Sequence, residues 1–220
     1  MYSALIFKEW LKIRWAFFAM TLLSLLAVTY IALNMAYYTE FMTAKGFWGN
    51  VILLGFPFYT EMKYIPALTG IIIAIVQFAP ETNDSRLKLT LHLPVDENKL
   101  LLQMISFGFV LLLFLFALLT FLLWIIIGIY FPSEVIGFVL KIWIPWSVAG
   151  LAAYFLTSAI IVEPIWVRRL IMIPFTLGFI DIFFDLFNHS PQLILFLTIF
   201  SLLIATLVLF SGYHFKRGIK

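Results

Sequence analysis

Two acids stand four residues apart, Asp181 and Asp185, in the apolar run Phe179-Ile180-Asp181-Ile182-Phe183-Phe184-Asp185. At helical spacing they stack on one face. A carboxylate within a membrane helix is costly and by default functional. Lys141, in another apolar run, is the candidate partner at similar depth. Two readings stand. The three residues form a polar cluster that lines or gates a translocation path, or Asp185 reaches the headgroups while Asp181 makes a structural hydrogen bond or ion pair. Other chemistry-bearing residues are sparse. His92, His189 and His214 lie far apart, with no zinc-site spacing. The chain has no cysteine, which excludes disulfides, thiolate chemistry and Cys-based metal sites. It has neither a glycine-rich phosphate loop ending in Lys nor a nucleophile elbow. The expectation is no cofactor, no metal and no enzyme activity in this chain.

The elements that position these acids follow from composition. The chain has 220 residues, 64% hydrophobic and 11% charged, against about 25% charged in a soluble domain. Such a chain cannot cover itself with a water-facing surface, so the bilayer is its solvent. Spans need about 20 mostly apolar residues. The apolar runs predict an all-α integral membrane protein with six transmembrane helices near Trp15–Tyr38, Ile65–Ala79, Glu97–Phe131, Val135–Val162, Arg169–Phe187 and Gln192–Tyr213. The second is expected to start nearer Tyr59. The third is long enough for its first turns to project into water, with Asp96 as its N-cap. Pro145 and Pro174 predict kinks.

Charge sets the expected orientation. Of 14 Lys and Arg residues, Lys45, Lys63 and Lys141 fall on one side of this layout, and the rest fall on the other. The positive-inside rule then places both termini in the cytoplasm. It also explains the net charge of +3 without nucleic acid. The external loop 39–63 is itself apolar and reads equally as an interfacial or re-entrant helix or as the broken outer end of the second span. Residues 1–14 read as an amphipathic interface helix, with Ile6, Trp10 and Ile13 opposite Lys8, Glu9 and Lys12. This helix is expected to lie in the cytoplasmic interface before turning into the first span, either as a plain anchor or as an elbow that meets a partner.

The main polar segment is 80–99, between the second and third spans. It carries Glu81, Asp84, Arg86 and Lys88 beside Leu87, Leu89, Leu91 and Leu93. The alternation over Leu87–Leu93 suggests a strand. A lone exposed strand would leave an unpaired edge, so a short helix docking its leucines on a partner fits better. A solvated connector is the plain alternative. Glu163 and Arg168-Arg169 bracket the turn between the fourth and fifth spans and are expected to anchor it at the cytoplasmic interface, with a second partner contact as the alternative.

The order of these elements, with Glu81, Arg86, the leucine-rich stretch and Leu93-Pro94-Val95 between spans, resembles permease subunits of the ATP-binding-cassette type-2 family. Asp84-Ser85 stands where Gly-Thr is frequent in that family, and Gln103, with Lys99 earlier, stands where Lys is frequent. The resemblance implies six spans, an N-terminal interface helix, export, and a coupling helix over 80–99. Glu81, Asp84, Arg86 and Lys88 would be its charge contacts, and Leu87, Leu89, Leu91 and Leu93 its apolar anchors. It implies as partners cytosolic ATP-binding-cassette ATPase subunits, which would hold ATP and Mg, and a second permease copy or related permease. The expected place is the bacterial inner membrane. Alternatives from other classes are a stand-alone secondary transporter using Asp181 as a proton site, a membrane scaffold and, with the weakest support, an intramembrane enzyme.

Overall fold

The structure, a computed structural model, describes residues 2–41, 62–83, 97–184, 195–201, 203, 206 and 208. All regular secondary structure among them is helical: α1 (Tyr2–Phe41), α2 (Ile65–Asn83), α3 (Glu97–Tyr130), α4 (Ser133–Val162) and α5 (Trp166–Phe184), followed by helical residues in 195–208. Among the described residues, four helices are long and apolar enough to cross a membrane, over Ala4–Glu40, Ile65–Thr82, Lys99–Tyr130 and Val135–Val162. The described part of the chain is therefore all-helical, of multi-pass membrane type.

The helix bounds follow from where Gly and Pro fall. No Gly or Pro occurs between Tyr2 and Phe41, and α1 runs unbroken for 40 residues, or roughly 60 Å at 1.5 Å per residue. This departs from the expected interface helix over 1–14, because no turn separates that segment from the first span. Pro132 ends α3 and opens α4, with extended backbone at φ −61° and ψ 161°. Pro164 follows the end of α4. There Arg169 donates from Nε to the Glu163 carbonyl and from its guanidinium to Ile161 O at 3.2 Å, while Arg168 lies 3.6 Å from the Glu163 carboxylate. The expected anchoring of this turn is present. The second span starts at Ile65 rather than near Tyr59, after a turn at Met62–Tyr64.

Unlike a soluble helix, α1 is apolar on both its inner and its outer face. Its inward stripe is Glu9, Ile13, Phe17, Met20, Ser24, Val28, Ile31 and Met35, all buried, at intervals of three or four residues. Trp15, Phe18, Leu22, Leu26 and Leu33 point outward and are exposed. Lys12 joins Glu9 and Ser24 on the protein-facing side. Lipid removes the usual penalty for outward apolar residues and raises it for outward polar ones. Intrahelical hydroxyl bonds complete the pattern, as in Ser24 Oγ to Met20 O at 2.7 Å and Thr120 Oγ1 to Phe116 O at 2.7 Å.

The closest packing is α2 against α4. A Cβ built on Gly70 would lie 2.1 Å from Gly150 O, and one on Gly150 would lie 2.6 Å from Pro66 O. These neighbours are backbone and cannot swing aside. Ala67 and Ala74 on α2, with Ala149, Ala152 and Ala153 on α4, extend the small-residue seam. Small residues let backbones approach where lipid supplies no hydrophobic drive between helices. Trp143 Nε1 donates to Thr120 Oγ1 at 2.8 Å and joins α4 to α3.

Gly70→Ala is expected to destabilise the bundle by about 1–3 kcal/mol through overpacking. Gly178, whose added Cβ would meet nothing within 4 Å, is the control. Gly178→Ala should leave stability unchanged or raise it by about 0.5–1 kcal/mol. Thermal loss of monodisperse protein in mild detergent reads both.

Candidate functional site

The strongest polar constellation lies where α1, α2, α3 and α4 meet near one end of the bundle. Gln77 interrupts the apolar run of α2 and is fully buried. Its Nε2 donates to Glu9 Oε2 of α1 at 3.0 Å and to Met104 O of α3 at 2.8 Å. Its Oε1 accepts from the Tyr154 hydroxyl of α4 at 2.8 Å. That hydroxyl also lies 3.2 Å from Ile105 O, but it has one proton, which the shorter contact takes. One amide thus binds four helices with every donor and acceptor engaged.

The network continues outward as charges. Lys12 pairs with Glu9 one turn before it, and with Glu81 of α2 at 2.9 Å. Lys8 reaches the same Glu81 oxygen at 2.9 Å. Glu9 and Glu81 are 3% and 1% exposed, so two buried carboxylates are matched by two ammonium groups. Leaving either carboxylate alone in this setting would be far more costly than the pairing is favourable. Gly108 of α3 makes the crossing possible, because a Cβ there would sit 2.3 Å from Tyr154 Oη and 2.6 Å from Gln77 Oε1.

The space around this arrangement is small at its inner end and larger at its charged end, where a cavity of about 400 Å³ is lined by Phe7, Lys8, Leu11, Lys12 and Glu81. The cavity beside Glu9, lined by Leu5, Leu100, Gln103, Met104 and Phe107, is about 10 Å³, the size of one water. Among the described residues no group of three His, Asp or Glu could hold a metal. The constellation joins α1, α2, α3 and α4 through directional polar contacts.

The sequence-expected residues fall as follows. Glu81 lies in the last turns of α2, and its carboxylate is turned inward onto Lys8 and Lys12 instead of outward. Asp84, Arg86, Leu87, Lys88, Leu89, Leu91, Leu93, Asp96 and Asp185 lie outside the described residues, as do the three histidines and most of loop 39–63. Lys141 and Asp181 are both exposed, and no ion pair joins them. Asp181 instead lines an apolar groove of about 700 Å³ between α2 and α5, with Tyr64, Leu68, Ile71, Leu177 and Phe184. Glu9, Gln77 and Tyr154 were missed by the sequence reading. Their signal was available: a lone amide in an apolar span, a mid-span Tyr away from the headgroup belt, and an acid one turn before a Lys.

No protein-family model, curated protein or solved structure matches this chain.

Gln77→Leu would strip Glu9 and the Tyr154 hydroxyl of their shared partner. The expected cost is about 1–3 kcal/mol in all, because Glu9 keeps Lys12 and the Tyr154 hydroxyl can turn to the Ile105 carbonyl. Tyr154→Phe should cost less than Gln77→Leu, and the double variant less than the sum. Denaturant unfolding in mixed micelles reads the cycle, and strict additivity would mean the two side chains do not act together.

Proposed function

We propose that this chain is the membrane-spanning permease subunit of an ATP-driven exporter, coupled through segment 84–96 to separate cytosolic ATPase subunits. The observation that supports this reading is the attachment of that segment. It leaves α2 just after Glu81, which is held by Lys8 and Lys12 of α1, and about two turns beyond Gln77, which is bonded to α1, α3 and α4. It returns at the start of α3, whose Met104 carbonyl belongs to the same network. Displacement of the segment would reach four helices through fixed polar contacts rather than through slippery apolar ones. Lys8, Lys12, Glu81, Lys99, Glu163, Arg168 and Arg169 gather toward this end, which suits the cytoplasmic side.

In this reading residues 1–220 form one membrane domain of six spans with both termini in the cytoplasm, set in a bacterial inner membrane and paired with a second permease copy or a related permease. Leu87, Leu89, Leu91 and Leu93 anchor in a groove of the ATPase, and Asp84, Arg86 and Lys88 contribute charge contacts. Glu81 takes a different role from that of a surface contact: it fastens the coupling segment to α1. ATP and Mg belong to the partner.

Because the chain has no cysteine, single-cysteine labelling tests the topology directly. Lys99→Cys should be reached by a membrane-impermeant maleimide only in inverted vesicles, and Ser133→Cys only in intact cells. Purification of the tagged chain in mild detergent should bring down a stoichiometric ATPase, which Leu89→Glu with Leu91→Glu should release. An intact preparation without an ATPase would instead favour a stand-alone transporter, with transport that collapses with the proton gradient and with Asp181→Asn.

A further inference from the structure

The groove between α2 and α5 has one charge in its lining, Asp181, and a second, Lys63, over the two aromatic rings at its rim, and the polar network uses neither. Its walls are apolar: Leu68 and Ile71 on α2, Leu177 on α5. Leu68 and Leu177 are exposed, so the groove opens on the outward face of the bundle, where the acyl chains of a bilayer lie. At one end the Tyr64 and Phe184 rings meet edge to face, with centroids 5.0 Å apart. Lys63 stands over both rings, its Nζ 5.6 Å from the Tyr64 centroid and 5.3 Å from that of Phe184. Asp181 lines the groove one turn before Phe184. Among the described residues, neither Lys63 nor Asp181 forms an ion pair, with the other or with a third group.

An ammonium and a carboxylate at one end of an apolar trough match a zwitterion with an apolar tail. At about 700 Å³ the groove falls within the range of small-molecule sites. We propose that it binds phosphatidylethanolamine from the bilayer, with the primary ammonium on Asp181, the phosphate on Lys63, and an acyl chain along Leu68, Ile71 and Leu177. The headgroup choice follows from donors. A primary ammonium has three N–H groups for the Asp181 carboxylate, whereas a choline headgroup has none. The aromatic faces that would hold a quaternary ammonium already hold Lys63. An anionic lipid such as phosphatidylglycerol would leave Asp181 unpaired. The inference stands on the groove alone and does not depend on an accompanying ATPase.

Native mass spectrometry of the chain purified in mild detergent tests it. The protein is offered an equimolar mixture of phosphatidylethanolamine, phosphatidylcholine and phosphatidylglycerol with the same acyl chains. Phosphatidylethanolamine should be retained about tenfold over phosphatidylcholine, the effect of one charge-assisted hydrogen bond. Asp181→Asn should erase that preference, and Lys63→Gln should weaken retention of all three lipids. Gly178→Leu uses the open space over Gly178 to fill the groove without touching the core, and should expel the lipid. Equal retention of phosphatidylethanolamine and phosphatidylcholine by the unaltered chain would overturn the proposal, as would an unchanged preference in Gly178→Leu. Displacement by soluble phosphoethanolamine at lipid-like concentrations would overturn the bilayer as the source. Should Asp181→Asn fail to fold, the unaltered chain and Gly178→Leu decide the matter.

Discussion

A buried amide with partners on three other helices is the constraint on which this bundle turns. Lipid offers no hydrogen bonds, so a polar side chain inside a membrane protein must be satisfied by protein. Gln77 meets that requirement only when α1 supplies Glu9, α3 supplies a main-chain carbonyl and α4 supplies the Tyr154 hydroxyl. Apolar side chains tolerate sliding along one another at small cost. Directional bonds do not, and so they set the register of four helices at once.

The charged continuation of this network explains the behaviour of α1. Glu9 and Lys12 turn inward because Glu81 and Gln77 are there, and the aromatic residues Trp15 and Phe18 turn outward because lipid accepts them. An interface helix lying flat would leave Glu81 without Lys8 and Lys12. The unbroken helix keeps those pairs and carries α1 past the hydrocarbon. A polar latch at the root of segment 84–96 is also what the proposed coupling role requires: the lever is fastened to the bundle before it meets a partner.

Close backbone approach does the rest. With Gly70 against Gly150, and Gly108 beneath Tyr154 and Gln77, the space for side chains falls nearly to zero at two crossings. The two features depend on one another. Tyr154 reaches Gln77 only because α2 and α4 lie close, and they lie close only because glycine stands at the crossing. The outward groove between α2 and α5 is the counterpart of this tight seam, since α5 packs on α4 and, among the described residues, leaves a trough of about 700 Å³ along α2.

The membrane class, the helical content and the bounds set by proline were legible in the sequence, because hydropathy and Pro chemistry act locally. Val135–Val162 as a span, and Arg169 anchoring the following turn, needed nothing beyond neighbouring residues. Positive charge grouped toward one end was legible for the same reason. The partners of each polar group were not. Asp181 and Lys141 looked suited to each other by depth, yet depth along a helix says nothing about the direction a side chain faces around it, and both point away from the core. Glu81 looked like a surface contact because it opens a polar segment, but it is closed onto Lys8 and Lys12. Gln77, Glu9 and Tyr154 are 68 and 77 residues apart in the bonds they make. Local physics, which is a matter of solvent and backbone, was written in the sequence by itself. Which buried polar groups meet was decided only by the tertiary structure, because it depends on how helices distant in sequence are rotated against one another.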